Sequence, residues 1–95
     1  MRTRPPASNV PDAPGVYIFR DVEGRPLYVG KAKSLRKRTA NYFTSDLAPR
    51  TRAMVDAAED LDWIVTDSEV AALMLEYSLV QEYQPQFNVR LKDDK

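Results

Sequence analysis

Two short runs rich in β-branched and aromatic residues, Gly15 to Arg20 (GVYIFR) and Pro26 to Gly30 (PLYVG), stand a few residues apart. Their proximity constrains the fold more than any other feature. Both runs favour extended backbone, and Asp21-Val22-Glu23-Gly24 between them has the composition of a hairpin loop. A four-residue loop at 21 to 24 predicts Arg20 opposite Arg25 and Tyr17 directly opposite Tyr28. The two tyrosines then share one face of the sheet.

The rest of the chain must cover that hairpin. From Lys33 to Tyr42 the composition is helical. Pro49 suits a first helical turn, and Arg50 to Asp60 continues as a second helix with Met54, Val55 and Ala58 turned inward. Leu61 to Thr66 (LDWIVT) alternates as a third strand. Thr66-Asp67-Ser68-Glu69 has capping-box spacing and opens the longest helix, which ends near Tyr83 ahead of Pro85. The expected class is therefore α+β, a small three-stranded antiparallel sheet flanked by helices in the order ββααβα. Four of the seven prolines lie within residues 1 to 14, so this end is expected to be irregular, with a lead-in over 1 to 10 and one domain over 11 to 95. A domain this small buries only about 60 to 65% of its unfolded surface. Its active site is expected to be shallow.

Cysteine and histidine are both absent, which excludes disulfides, thiolate zinc sites and histidine general bases. Chemistry must come from carboxylates, tyrosines, lysines and arginines. No apolar run reaches the roughly 18 residues of a membrane span, and the N-terminus lacks the apolar stretch of a signal peptide; the expected location is the cytoplasm. The net charge is zero, yet residues 1 to 38 hold nine Lys/Arg against three Asp/Glu, and residues 39 to 95 hold five against eleven. One basic face for a polyanion is compatible with that balance.

Several residues are out of place for a purely structural chain. A 100° step per residue sets Glu76 between Leu73 and Val80 on one side and Ala72, Leu79 and Tyr83 on the other, while Ser78, Gln81 and Glu82 form the polar stripe. A carboxylate on a core-facing stripe costs several kcal/mol unless a cation pairs with it. That cation is either an internal arginine or a metal ion. Tyr17 and Tyr28 are individually ordinary strand tyrosines, and a phenol is a poor base unless a nearby cation lowers its pKa. Gly30, lacking a side chain, leaves room for a phosphate beside Lys31. Lys31, Lys33, Arg36, Lys37 and Arg38 set five cations within eight residues, either a solvated face or a DNA contact. Lys31, Leu35, Arg38 and Tyr42 fall at helical spacing, which turns Arg38 toward the Lys31 side and away from bulk solvent. Asn88, in Pro85-Gln86-Phe87-Asn88, reads as a turn residue.

Taken together these blocks resemble the GIY-YIG nuclease family. Gly15-Val16-Tyr17 stands for the first element and Tyr28-Val29-Gly30 for the second, followed by Lys31-Ala32-Lys33-Ser34-Leu35-Arg36-Lys37-Arg38. Within the family the flanks Pro14-Gly15-Val16-Tyr17, Thr66-Asp67-Ser68-Glu69-Val70 and Asn88-Val89-Arg90-Leu91-Lys92-Asp93-Asp94-Lys95 are similar to UvrC-type N-terminal nuclease domains. The likeness covers about residues 11 to 95. It departs in having Val for Ile in both short elements and Ser78 where the UvrC type often has Asn.

The resemblance implies a metal-dependent DNA endonuclease acting on the 3′ side of a lesion in bacterial nucleotide excision repair. It implies Glu76 as the single protein ligand of one Mg²⁺ or Mn²⁺ ion, Lys31 and Arg38 on the scissile phosphate, Asn88 orienting the site, and Tyr17 or Tyr28 as general base, with Tyr17 preferred. Lys33, Arg36 and Lys37 join Lys31 and Arg38 in binding DNA. The implied partners are damaged double-stranded DNA and UvrB, the chain being a monomeric piece of a longer multidomain protein. Two other readings stay open: a non-catalytic DNA- or partner-docking module, which requires Glu76 to pair with an arginine, and a restriction or homing nuclease.

Overall fold

The computed structural model describes residues 9–44 and 46–91. Most of the predicted lead-in lies outside the described residues. Its described end is anchored: Val10 is buried in the core, and the carbonyls of Pro11 and Ala13 accept from the backbone N–H groups of Arg36 and Leu35.

The elements follow as β1 (Gly15–Arg20), β2 (Pro26–Ala32), α1 (Leu35–Ala40), a 3₁₀ turn at Asn41–Phe43, α2 (Pro49–Ala57), β3 (Asp60–Val65), α3 (Glu69–Tyr83) and α4 (Gln86–Leu91). The predicted ββααβα order is therefore correct up to a last short helix that it lacks. Gln84 takes a left-handed conformation (φ 47°) that ends α3. The chain turns at Pro85, and Asn88, expected in a turn, lies on α4. Two helix starts also differ from expectation. The Ser34 hydroxyl accepts from the N–H of Lys37 (3.3 Å) and starts α1 at Leu35, two residues later than predicted. The capping box at Thr66 does not form: Ser68 caps α3 by accepting from the N–H of Ala71 (3.1 Å), while the Thr66 hydroxyl donates to the Ser68 carbonyl (2.9 Å).

The sheet order is β2-β1-β3, all antiparallel. Central β1 is covered on both faces. Val16 and Ile18 pack with Val29 and Ala72 under α3, joined by Leu75, Leu79 and Val80. Tyr17 and Phe19 pack on the other face with Leu35, Met54, Ala58, Leu61 and Phe87. Among the described residues no helix is long and apolar enough to cross a membrane.

The hairpin register corrects the prediction. Arg20 faces Pro26, not Arg25, and Tyr17 faces Gly30, not Tyr28. One residue of slip comes from the loop: the Asp21 carboxylate accepts from the N–H groups of Glu23 and Arg25 (both 2.9 Å), and the Asp21 N–H donates to the Arg25 carbonyl (2.9 Å), which draws Arg25 into the turn. The other comes from an irregularity beyond Arg20, after which Phe19 faces Tyr28. Two slips of one residue add to an even number. Side chains alternate with period two, so the expected shared face of Tyr17 and Tyr28 survives.

Strand β2 is an edge of the sheet, and α4 closes it. The Asn88 carboxamide accepts from the N–H of Val29 (2.8 Å) and donates to its carbonyl (2.9 Å), imitating one residue of a neighbouring strand. Both partners are buried. Asn88→Ala strands the two backbone groups of Val29, and each buried unsatisfied group costs about 1–3 kcal/mol. Urea denaturation will show a loss of at least about 1 kcal/mol; a variant as stable as the parent refutes this role.

Candidate active site

The predicted tyrosines meet around a third phenol. Tyr17 is fully buried, and its hydroxyl lies 2.7 Å from that of Tyr42 and 3.4 Å from the donating Nε of Arg38. The rings of Tyr17 and Tyr28 are 6.3 Å apart and tilted, and those of Tyr17 and Tyr42 are 5.5 Å apart. Tyr42 is the site residue that pattern reasoning missed. Its helical spacing from Arg38 was visible, but only the packing of the 3₁₀ turn against β1 brings its hydroxyl to Tyr17.

Gly30 has a different purpose from the predicted one. A Cβ there would run into the Tyr17 ring and hydroxyl, so the space beside Gly30 holds the phenol and not a phosphate. Lys31, next along, is exposed on β2 and so is not on the helix whose spacing it shares. Arg38 was expected to turn from bulk solvent; the side chain is exposed, with Nε donating to Tyr17 and a further hydrogen bond to Tyr42. The guanidinium keeps donors free for an anion.

Glu76 is buried, at 9% exposure. The α3 stripe is narrower than predicted: Ala72, Leu75, Leu79 and Val80 pack inward with it, whereas Leu73 and Tyr83 are exposed at 48% and 45%. Among the described residues no arginine or lysine forms an ion pair with Glu76. Although α3 covers the face opposite the tyrosines, its carboxylate acts electrostatically on Tyr28. No cluster of three or more acidic or other metal-ligating side chains occurs among the described residues.

Burial dominates the phenols. It pushes Tyr28 up to about 12, with Tyr42 and Glu76 adding to the rise and Arg38 opposing it. Tyr17 is raised by burial and then by Tyr28, against the hydrogen bonds from Tyr42 and Arg38. Tyr42 is raised for the same first reason.

Of the five predicted DNA-binding cations, Lys31, Lys33, Lys37 and Arg38 line one groove of about 580 Å³, which runs between the β2–α1 junction and the first turns of α3. Arg36 does not line it, and its Nε donates to the Val10 carbonyl (2.9 Å). Asn88 stands behind β2 and bonds the Val29 backbone between Tyr28 and Gly30.

The profile of the UvrC-like GIY-YIG domain matches residues 13–89. The chain is 58% identical over 94 residues to UvrABC system protein C of Saccharopolyspora erythraea, covering 97% of this chain and 13% of that protein. It is 55% identical over 94 residues to that of Thermobifida fusca, covering 97% and 14%. The chain thus spans only about a seventh of the length of these relatives. Among solved structures, the magnesium-bound GIY-YIG N-terminal endonuclease domain of UvrC from Thermotoga maritima superposes with TM-score 0.80 at 33% identity, covering 92% of this chain and all of that one. Three tyrosine-to-phenylalanine forms and an asparagine-to-alanine form of that domain, each bound to its catalytic divalent cation, match as well.

The raised phenols carry a consequence for stability. An unfolded tyrosine titrates near pH 10, so the folded chain holds these protons more tightly than the unfolded one. The stability they contribute is complete below about pH 10 and is lost as pH climbs toward the folded value of about 12. The urea midpoint will fall across this window, and less steeply in Tyr28→Phe. A parent midpoint indifferent to pH there contradicts the burial.

Proposed function

Because the chain belongs to the UvrC-like GIY-YIG domain family, we propose that it is a divalent-metal-dependent endodeoxyribonuclease domain of a longer cytoplasmic repair protein. Its reaction is hydrolysis of a phosphodiester on the 3′ side of a DNA lesion during nucleotide excision repair, in a complex with UvrB. The observation that carries this reading is Glu76: a carboxylate drawn into the apolar stripe of α3, without an ion-pair partner among the described residues and within electrostatic reach of Tyr28. The alternative, a docking module without catalysis, requires an arginine on Glu76 and lacks that support.

The donor set fits a hard cation. Mg²⁺ and Mn²⁺ accept a single carboxylate and keep several waters, and Glu76 supplies such a ligand at the edge of the core. When bound, the ion supplies Lewis-acid stabilisation of the charge that develops on the phosphate and the leaving oxygen. Arg38 and Lys31 hold the scissile phosphate with donors that stay exposed. Tyr28 acts as the base only after its own phenolic proton has passed to solvent, which a bound cation and Arg38 would favour against the rise from burial; its phenolate oxygen then takes the proton from the attacking water. This moves the base from Tyr17, the choice from sequence, because Tyr17 is fully buried and held by both Tyr42 and Arg38, while Tyr28, which also bonds Tyr42, is only partly buried. Tyr17 and Tyr42 fix Arg38. Asn88 holds the β2 backbone on which Tyr28 sits.

Glu76→Gln separates the readings. In the metal-free state the variant will be at least as stable as the parent, since it removes a buried charge. Mn²⁺ will raise the melting temperature of the parent and not of the variant, and 3′ incision by the full-length protein with UvrB will fall about 100-fold or more. Equal incision and equal Mn²⁺ stabilisation would falsify the assignment.

The two tyrosines differ in pH behaviour. With Tyr28 as base, the parent rate rises about tenfold per pH unit on its acid limb; Tyr28→Phe loses that limb, and Tyr17→Phe slows the reaction while keeping it. The opposite pattern returns the role to Tyr17.

A further inference from the structure

The groove beside the phenols has two unlike walls. On one, the β2–α1 side, stand Lys31, Lys33, Lys37 and Arg38; on the other, α3 presents Val70 and Leu73, with Glu69 at the first helical position. Val70 and Leu73 are 67% and 48% exposed, large apolar side chains left facing four cations. Asn41 also lines the space, and its exposed carboxamide both donates and accepts. At about 580 Å³ the groove falls within the roughly 300–1,000 Å³ of sites that enclose a small molecule. It shares Arg38 with the tyrosine cluster, so it adjoins the proposed scissile phosphate.

We propose that this groove is a subsite for one unstacked nucleotide of the DNA strand next to the scissile phosphate. Its backbone runs along the Lys33 and Lys37 wall and its base rests on Val70 and Leu73. The inference rests on the nuclease reading above and adds to it the conformation of the substrate. Charge sets the orientation. Glu69 repels phosphate from the α3 wall, while the cations attract it, so the base is the part that turns to the apolar side. Asp12, within electrostatic reach of Lys37 and hydrogen-bonded to the Ser34 hydroxyl, moderates that wall without lining the groove. Asn41 is placed to meet a base edge. A base held in a duplex keeps its neighbours on both faces; an unstacked one has a free face that needs covering, as single-strand binders provide.

The test is a coupling measurement by fluorescence anisotropy on the metal-free 95-residue chain. The probe is a duplex with a short single-stranded extension, either carrying a base or abasic at the first unpaired nucleotide. The parent will prefer the base-bearing probe by about fivefold to tenfold. Leu73→Asp, a surface change, will bind it correspondingly more weakly and will no longer distinguish the two probes. Lys37→Ala will weaken both equally and lower the log–log salt slope by about 0.7. A parent indifferent to the missing base, a Leu73→Asp variant that still discriminates, or no measurable binding to either probe overturns the subsite. Cleavage of the base-bearing probe with Mn²⁺, parent against Glu76→Gln, is scored separately. Loss of cleavage in Glu76→Gln without coupling at Leu73 rejects the subsite alone; full cleavage by Glu76→Gln rejects the nuclease assignment on which it rests.

Discussion

The Tyr17 ring lies on the bare backbone of Gly30, and much of the molecule is arranged around that contact. A side chain at Gly30 would occupy the place of the phenol. With the ring seated there, the Tyr17 hydroxyl has one direction in which to find partners, toward Tyr42 and Arg38. Buried hydroxyls are costly unless bonded. The sheet, the 3₁₀ turn and α1 are therefore tied together through a single oxygen. The same contact accounts for the register, because only the even slip of the hairpin sets a glycine opposite Tyr17 while keeping Tyr28 on its face.

A second dependence runs through α4. An edge strand with free N–H and C=O groups is prone to pairing with other chains and to fraying. The Asn88 carboxamide occupies the groups of Val29, the residue between Tyr28 and Gly30, so one side chain from the end of the chain holds in place the segment on which the phenol cluster depends. From behind the strand it fixes the backbone between Tyr28 and Gly30.

The electrostatics are organised by burial more than by pairing. Phenols packed among apolar neighbours keep their protons, and the charges that can act on an anion, Lys31 and Arg38 among them, stay exposed at the rim. Glu76 is the exception, a carboxylate drawn in with the apolar stripe of α3. A zero net charge is thus compatible with a strongly basic groove, because the carboxylates are distributed mostly elsewhere.

Strand and helix identities were legible from residues 15 to 83 because hydrophobic period and punctuation are local properties, and the inward turn of Glu76 followed from helical geometry alone. Family membership followed from short blocks in order. The sequence by itself also determined what chemistry is impossible, through the absence of cysteine and histidine. Only the tertiary structure decided that Tyr17 faces Gly30, since loop hydrogen bonds and a strand irregularity each moved the register by one. It alone brought Tyr42 into the site, turned Arg36 onto Val10, and set Asn88 on the edge of β2. Those are contacts between residues 25, 26 and 59 positions apart, where no periodicity operates and the outcome rests on which surfaces exclude water together.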